Sequence, residues 1–293
     1  MPLRQKLLPT FQGVATGQAA TCNLDLLKRY HVIWLEFGDN GVASNGNANN
    51  LPATIANLIG QIVVKVNGKP QRTMLGKELH ALNGINGSVY AAKSSGVAGT
   101  AAYRVYLPIW FAEPWRNNNA EVALSAWNAQ GIDSFQLEVT LQAGLVSPVL
   151  SGFYEFDAVT GNMAAIAKWL RESFAAVGTT QDFNTISKRD FIQAINLFAT
   201  TDGHYVNKLK FTANGADVRD LLSTLENQAI LLGRNLVPDT SATPRFDLVF
   251  DYDDPINGAL NANGLSEMTL HVEYDAAANG TMIAIVQQVG PPD

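Results

Sequence analysis

Gln61-Ile-Val-Val-Lys-Val-Asn-Gly68 and Lys208-Leu-Lys-Phe-Thr-Ala-Asn-Gly215 are the two stretches that decide the fold. Each alternates its apolar residues as a strand buried on one face does. Each ends in Asn-Gly, the pair that suits the left-handed centre of a hairpin turn. They stand 215 − 68 = 147 residues apart, and the match continues at that offset: Arg72 meets Arg219, Met74 meets Leu221 and Leu75 meets Leu222. Working outward, Ile33 and Leu35 match Ile195 and Leu197 at an offset of 162. Leu107, Ile109, Phe111 and Pro114 match Leu248, Phe250, Tyr252 and Pro255 at 141. Leu137, Val139 and Leu141 match Leu270, Val272 and Tyr274 at 133. The offsets fall steadily with no pairing out of order, as a duplicated unit with longer loops in its first copy requires.

Around these anchors the pattern is mostly strand and turn. Arg29 to Phe37, Tyr103 to Ala112, Ile132 to Gln142, Phe191 to Ala199, Arg245 to Asp253, Met268 to Asp275 and Thr281 to Val289 all read as strands. Pro108 marks its strand as an edge or a bulge. Two segments read as helices. In 162–177, Ile166, Trp169, Leu170, Phe174 and Val177 recur at helical spacing, with Asn162 before and Gly178 after as caps; Val218 to Leu232 is the other. The fold class expected is mainly β: two tandem eight-stranded jelly-roll β-sandwiches joined by a helical connection. The divisions expected are an N-terminal arm at 1–19, a first jelly roll at 20–150, a connecting segment with its helix at 151–186, and a second jelly roll at 187–293.

Composition narrows the function. The 293 residues are 47% hydrophobic and 16% charged, enough for a large core and too apolar for disorder. A net charge of −6 with no basic run speaks against duplex nucleic acid, and no direct sequence-specific contact with nucleic acid is expected. No window holds about 20 uninterrupted apolar residues, the length of a membrane span. Arg4, Gln5 and Lys6 interrupt the apolar start, so no secretory signal is expected, and synthesis in a reducing cytoplasm is. A single cysteine, Cys22, excludes an internal disulfide and any cysteine cluster for a metal. Few Lys and Glu among many Asn, Gln, Ser and Thr is the surface of a protein that faces other proteins.

Chemistry-bearing motifs are scarce. His31, His80, His204 and His271 form no metal-ligand spacing, and no nucleophile elbow or phosphate loop occurs, so no enzyme is expected. Glu36, Glu138 and Glu273 alternate with core residues and should point outward. Asp251, Asp253 and Asp254, with Asn257 beside them, are the oxygen-rich stretch that would suit Ca2+; no other cofactor is expected. Arg4 and Lys6 beside Leu7 and Leu8 form a basic, apolar arm suited to an anionic membrane surface or to neighbouring subunits. Trp110, Phe111, Trp115 and Trp127 leave a second reading open, a carbohydrate- or receptor-binding β-sandwich.

Several stretches spread along the chain carry a resemblance. They are Gly17-Gln-Ala-Ala-Thr-Cys-Asn-Leu24 leading into Tyr30 to Phe37, Val64-Lys-Val-Asn-Gly68, Trp169-Leu-Arg-Glu-Ser-Phe174, Phe211 through Leu222, and Leu270-His-Val-Glu-Tyr274. In order and pattern they resemble the double jelly-roll major capsid proteins of icosahedral bacteriophages with an internal membrane, most closely the corticovirus type. That resemblance implies a homotrimer shaped as a pseudo-hexagonal tile, found in the virion. Its implied partners are neighbouring capsid trimers, a vertex penton protein and the viral membrane on the inner face.

Overall fold

The computed structural model describes residues 3–41, 50–116, 122, 125–158, 161–251 and 258–293. The chain divides into two compact units, 1–167 with 291–293 and 168–290. The division thus falls inside the stretch read as a connection, and each unit is a β-sandwich.

In the first unit one sheet runs β1 (Arg4–Leu7), β10 (Pro148–Asp157), β3 (Arg29–Asp39), β7 (Arg104–Trp110), β6 (Lys93–Ser95), with β8 (Trp127–Asn128) also against β3. The other runs β2 (Ala19–Asn23), β9 (Phe135–Leu141), β4 (Ile59–Val66), β5 (Lys69–Leu75). Two helices, α1 (Leu51–Leu58) and α2 (Gly76–Ile85), flank β4 and β5. β9 alternates buried and half-buried residues along its whole length, the pattern of a sheet with one face in the core. Pro108 is tolerated because β6 covers β7 only from Arg104 to Tyr106, leaving an edge beyond.

In the second unit β14 (Ala216–Ser223), β13 (Val206–Ala213), β17 (Met268–Gly290) and β11 (Ile166–Phe183) follow one another. β12 (Phe191–Leu197) pairs with β15 (Phe246–Val249), β16 (Leu260–Asn261) and the later half of β17. One helix, α3 (Thr224–Gly233), follows β14. The pairings repeat those of the first unit. β12 takes the part of β3, β13 and β14 those of β4 and β5, β15 and β16 those of β7 and β8. The single long β17 does the work of both β9 and β10.

The register sharpens the duplication. Val64 faces Arg72 and Leu137; Phe211 faces Arg219 and Leu270. Asn67 and Gly68 both have positive φ (50° and 78°), as do Asn214 and Gly215 (49° and 75°), which a two-residue hairpin with its mirror-image turn demands. Asn67 Oδ1 accepts from the backbone N–H groups of Asp133 and Ser134; Asn214 Oδ1 accepts from those of Ser266 and Glu267. The matched donors, Asp133 with Ser266 and Ser134 with Glu267, are each 133 residues apart, the offset found for β9.

Three expectations need correction. First, 162–177 is not a helix: β11 is a strand from Ile166 to Phe183. From Phe174 onward its burial alternates, Val177 is 62% exposed, and Gly178 at φ 82° breaks the regular strand geometry instead of capping a helix. Apolar residues three and four apart also arise when a strand buries both faces near one end, as Ile166 to Trp169 do. Second, Val218 to Ser223 is strand β14, hydrogen-bonded to β13, and only Thr224 onward is helical. Ser223 caps that helix, with Glu226 reaching back to it. Third, two of the offsets shift. Leu35 faces Leu107 while Leu197 faces Phe246, so β7 maps to β15 at 246 − 107 = 139 and not 141. Ile62 faces Met74 while Leu209 faces Leu222, so β14 holds one extra residue. Leu221, at φ 42°, is the residue squeezed out.

Candidate assembly site

The N-terminal residues singled out from the sequence are already built into a sheet. β1 pairs antiparallel with β10, Arg4 opposite Phe156, Lys6 opposite Tyr154 and Leu7 opposite Phe153. All four residues of β1 are exposed, Leu7 at 76%. Leu8 follows half-buried; its N–H donates to Gly152 O at 2.9 Å, and its side chain lies where a Cβ on Gly152 would intrude. Lys6 Nζ meets Asp25 Oδ2 at 2.6 Å, the Tyr154 hydroxyl donates to the same carboxylate at 2.7 Å, and the Tyr30 hydroxyl donates to Asp25 O. Hydrogen bonds from Lys6 and then Tyr154 hold the Asp25 carboxyl below the usual carboxylate range. Lys28 sits over the Phe156 ring at 4.8 Å. Arg4, Lys6 and Lys28 thus lie on the face of β1 and β10 that carries Tyr154 and Phe156, while Leu7 lies on the opposite face, across from Phe153.

Of the residues proposed for an ion, Asp251 alone is among those described. Asp251 is buried and accepts from Gln193 Nε2 at 3.1 Å, while Asp253, Asp254 and Asn257 lie outside the described residues. Among the described residues no three His, Cys, Asp or Glu side chains are grouped to hold a metal. The three strand glutamates make cross-strand ion pairs: Lys65 with Glu138 at 2.7 Å, Lys208 with Glu273 at 3.6 Å, and Arg104 with Glu36 at 3.7 Å. Cys22 is buried, and desolvation pushes its thiol up to about 11, which makes it an unreactive packing residue.

The four aromatics split into two groups. Trp110 and Trp115 are half-buried and join Tyr90, Trp34 and Phe153 in a chain of ring contacts on the outer face of β3, β7 and β10. Phe111 and Trp127 are fully buried, and between them lies a residue the sequence reading passed over. The Arg72 guanidinium stands 4.8 Å from the Trp127 ring centre and 5.3 Å from that of Phe111. Its Nε donates to Ala167 O at 2.7 Å and its Nη1 to Trp110 O. Burial pushes this guanidinium down to about 9, so it stays charged at neutral pH, held by carbonyl dipoles and ring faces. The signal available was the repeat itself, since Arg72 and Arg219 were its only matched charges.

A second candidate surface lies on the other unit. α3 turns Leu225 (77% exposed), Ile230 (36%) and Leu232 (62%) to solvent, and Leu221 at the β14 bulge is 44% exposed. Asp217 and Asp220 are exposed and share Lys210 Nζ at 3.0 and 3.5 Å, and the exposed Glu226 accepts from the Ser223 N–H at 2.8 Å.

Comparison with known proteins agrees with this architecture. Residues 5–157 match the family described as Viral coat protein P2 N-terminal domain. Over 99% of this chain and 98% of the other, the fold is similar to the major capsid protein P2 of bacteriophage PM2, with a TM-score of 0.76 at 16% identity. The STIV MCP gives a TM-score of 0.69 at 10% identity, covering 100% of this chain and 98% of that one. The PBCV-1 virus capsid gives 0.65 at 11%, covering 98% and 93%. No curated protein matches. With two like sandwiches in tandem and more than half its length matched, the chain belongs to the viral coat protein P2 family and is a structural protein of the virion, not an enzyme.

Proposed function

We propose that this protein is the major building block of an icosahedral shell enclosing a lipid membrane, working as a homotrimer. The observation that supports it most directly is the repetition of one sandwich in register within a single chain. Three copies then supply six similar bodies, the number a pseudo-hexagonal tile needs. The work is geometric: trimer flanks bury more than about 2,000 Å² in total, as obligate interfaces do, and weaker lateral contacts join trimers to each other and to a vertex penton protein. The N-terminal arm at Arg4, Lys6, Leu7 and Leu8 is a membrane-facing or assembly element in this reading. Asp251, Asp253 and Asp254 remain the place to look for Ca2+, by titration followed through the melting temperature.

Light scattering on purified protein should return three times the chain mass, or particles; a monomer at every concentration would end this reading. Sugar recognition is the weaker alternative, because Phe111 and Trp127 are buried and cannot stack on a ligand. A glycan array should be blank.

A further inference from the structure

The first unit carries a latch that goes beyond the shell reading and does not depend on it: we propose that His80 fastens segment 86–95 at neutral pH and lets it go in acid. The segment leaves α2 and runs to the edge strand β6. On the way Ala91 and Ala92 are buried, while Ser88, Val89 and Lys93 to Ser95 stand in solvent. Two small side chains bring little hydrophobic gain, so the hydrogen bonds carry the attachment. The Ala92 N–H donates to His80 Nδ1 at 3.2 Å, Trp110 Nε1 donates to Tyr90 O at 3.0 Å, and the Tyr90 hydroxyl donates to Pro114 O at 3.4 Å. Beyond them β6 has three residues, all exposed, paired with Tyr106, Val105 and Arg104 of β7.

Of these bonds the one to His80 answers to mild acid. A backbone N–H can only donate, so Nδ1 must offer its lone pair and the ring's proton sits on Nε2. A second proton makes both ring nitrogens donors, and no turn of the ring restores an acceptor. Two N–H groups then face each other where the bond was.

The surroundings favour the neutral ring. His80 is half-buried, Lys93 directly follows the donor residue, and burial first and then this ammonium hold the imidazole below the ordinary histidine pKa. The other charges on and around α2 are engaged elsewhere or exposed. On α2 itself Glu78 accepts from the Leu75 N–H and Lys77 is exposed; α1 carries no titratable residue. On β4 Lys65 pairs with Glu138, and on β5 Lys69 is exposed and Arg72 is enclosed with Trp127 and Phe111. On β7 Arg104 pairs with Glu36, and Tyr106 lies across from Lys93. The second unit ties the loop after its helix differently: Gln228 Nε2 donates to Asp239 O at 2.7 Å, an amide and a carbonyl that gain no proton in mild acid. Acid therefore loosens this loop in one copy only. Its release takes Tyr90 off the rings of Trp110 and Trp115, 5.7 and 5.4 Å away, and uncovers aromatic surface.

The test is hydrogen exchange on the full chain from pH 7 down to pH 4.5, read by mass spectrometry and corrected for the intrinsic pH dependence of exchange. The peptide holding Ala92 should lose protection about tenfold while β9 keeps its own. Unchanged protection at Ala92 would overturn the proposal. So would β9 opening in the same step, which means that the whole unit unfolds. That comparison needs no variant. His80→Gln offers an amide oxygen that accepts from Ala92 and does not titrate, so the segment should stay protected throughout. Loosening as in the wild type would give the proton to another group and overturn the latch. His80→Phe fills the space without an acceptor and should leave the segment loose at every pH; full protection at pH 7 would mean that the bond holds nothing. Light scattering reads trimer formation separately, so none of these results touches the shell reading.

Discussion

In the first sandwich Tyr30, Phe111, Trp127, Phe135 and Tyr154 pack ring against ring, Tyr30 to Phe135 at 5.1 Å and Phe111 to Trp127 at 4.8 Å. At the register-matched places the second carries Ile192, Phe250, Leu260, Met268 and Val286. One arginine is common to both, and its fate follows the rings around it. Arg72 is fully enclosed, with ring faces on two sides and carbonyl oxygens at its nitrogens. Among the described residues Arg219 meets one ring, Phe250, at 5.8 Å, and it stays half in water with Nη1 on Val218 O. A buried guanidinium needs an electron-rich wall to replace its hydration; aliphatic side chains supply none, so where the rings were lost the cation moved out.

The outer faces diverge in the opposite sense. Trp34 and Phe153 of the first unit correspond to Asn196 and Ile285 of the second, and Pro108 to Asp247. Asn196 and Asp247 are fully buried in a polar chain, in which Arg245 reaches Asp247 at 2.5 and 2.9 Å, Asn196 donates to Asp247, and Gln287 donates to Asn196. One detail survives on both: the Asn83 side chain donates to Pro108 O, and Asn227 to Asp247 O, each tying a helix to the matched strand.

Substitutions can break this comparison. Arg72→Met should cost the first unit about 3 kcal/mol, the scale of losing a buried, hydrogen-bonded charge, while Arg219→Met should cost under about 1 kcal/mol. Equal losses in denaturant titrations would mean that the rings do not hold the cation. Asn83→Ala and Asn227→Ala, each leaving a buried carbonyl unmet, should lose about 1–3 kcal/mol apiece. Asn67→Ala and Asn214→Ala should cost about 1–2 kcal/mol each, similarly in both copies; unequal values would deny the turns a common role. The smallest effect is with pH. Burial holds His31 below the ordinary histidine pKa against the pull of Asp157, and burial followed by Lys93 does the same for His80. Below about pH 6.5 the unfolded chain takes up protons that the fold refuses, so stability falls as pH falls. Both histidines are in the first unit, so its melting should shift down from pH 7 to 5, and His31→Gln should flatten that slope.

The strands and turns were legible because period two and Asn-Gly are local signals that tertiary packing reinforced, as in β9 and β4. β11 was misread because burial of both faces near Ile166 imitates helical spacing. α1 passed unnoticed although Asn50, whose side chain accepts from Ala53 N, and Pro52 in the first turn are ordinary start signals. The β1 arm was half legible: Arg4, Lys6 and Leu7 stood out, but Asp25, which holds Lys6, is distant in sequence. Arg72 showed as a repeated letter and not as a buried cation, since its walls come from Phe111 and Trp127, and no local window holds all three.

The two hairpin tips bear on how such a coat ages. Asn followed by Gly is the dipeptide most prone to lose ammonia, when the glycine nitrogen attacks the asparagine amide and a succinimide opens to a lengthened backbone. Here each amide oxygen is fastened to two N–H groups of a facing loop, which keeps the side-chain carbon from swinging onto the glycine. The bonds that set the register thus also slow a chemical clock, in a particle that must keep its shape outside any cell able to repair it.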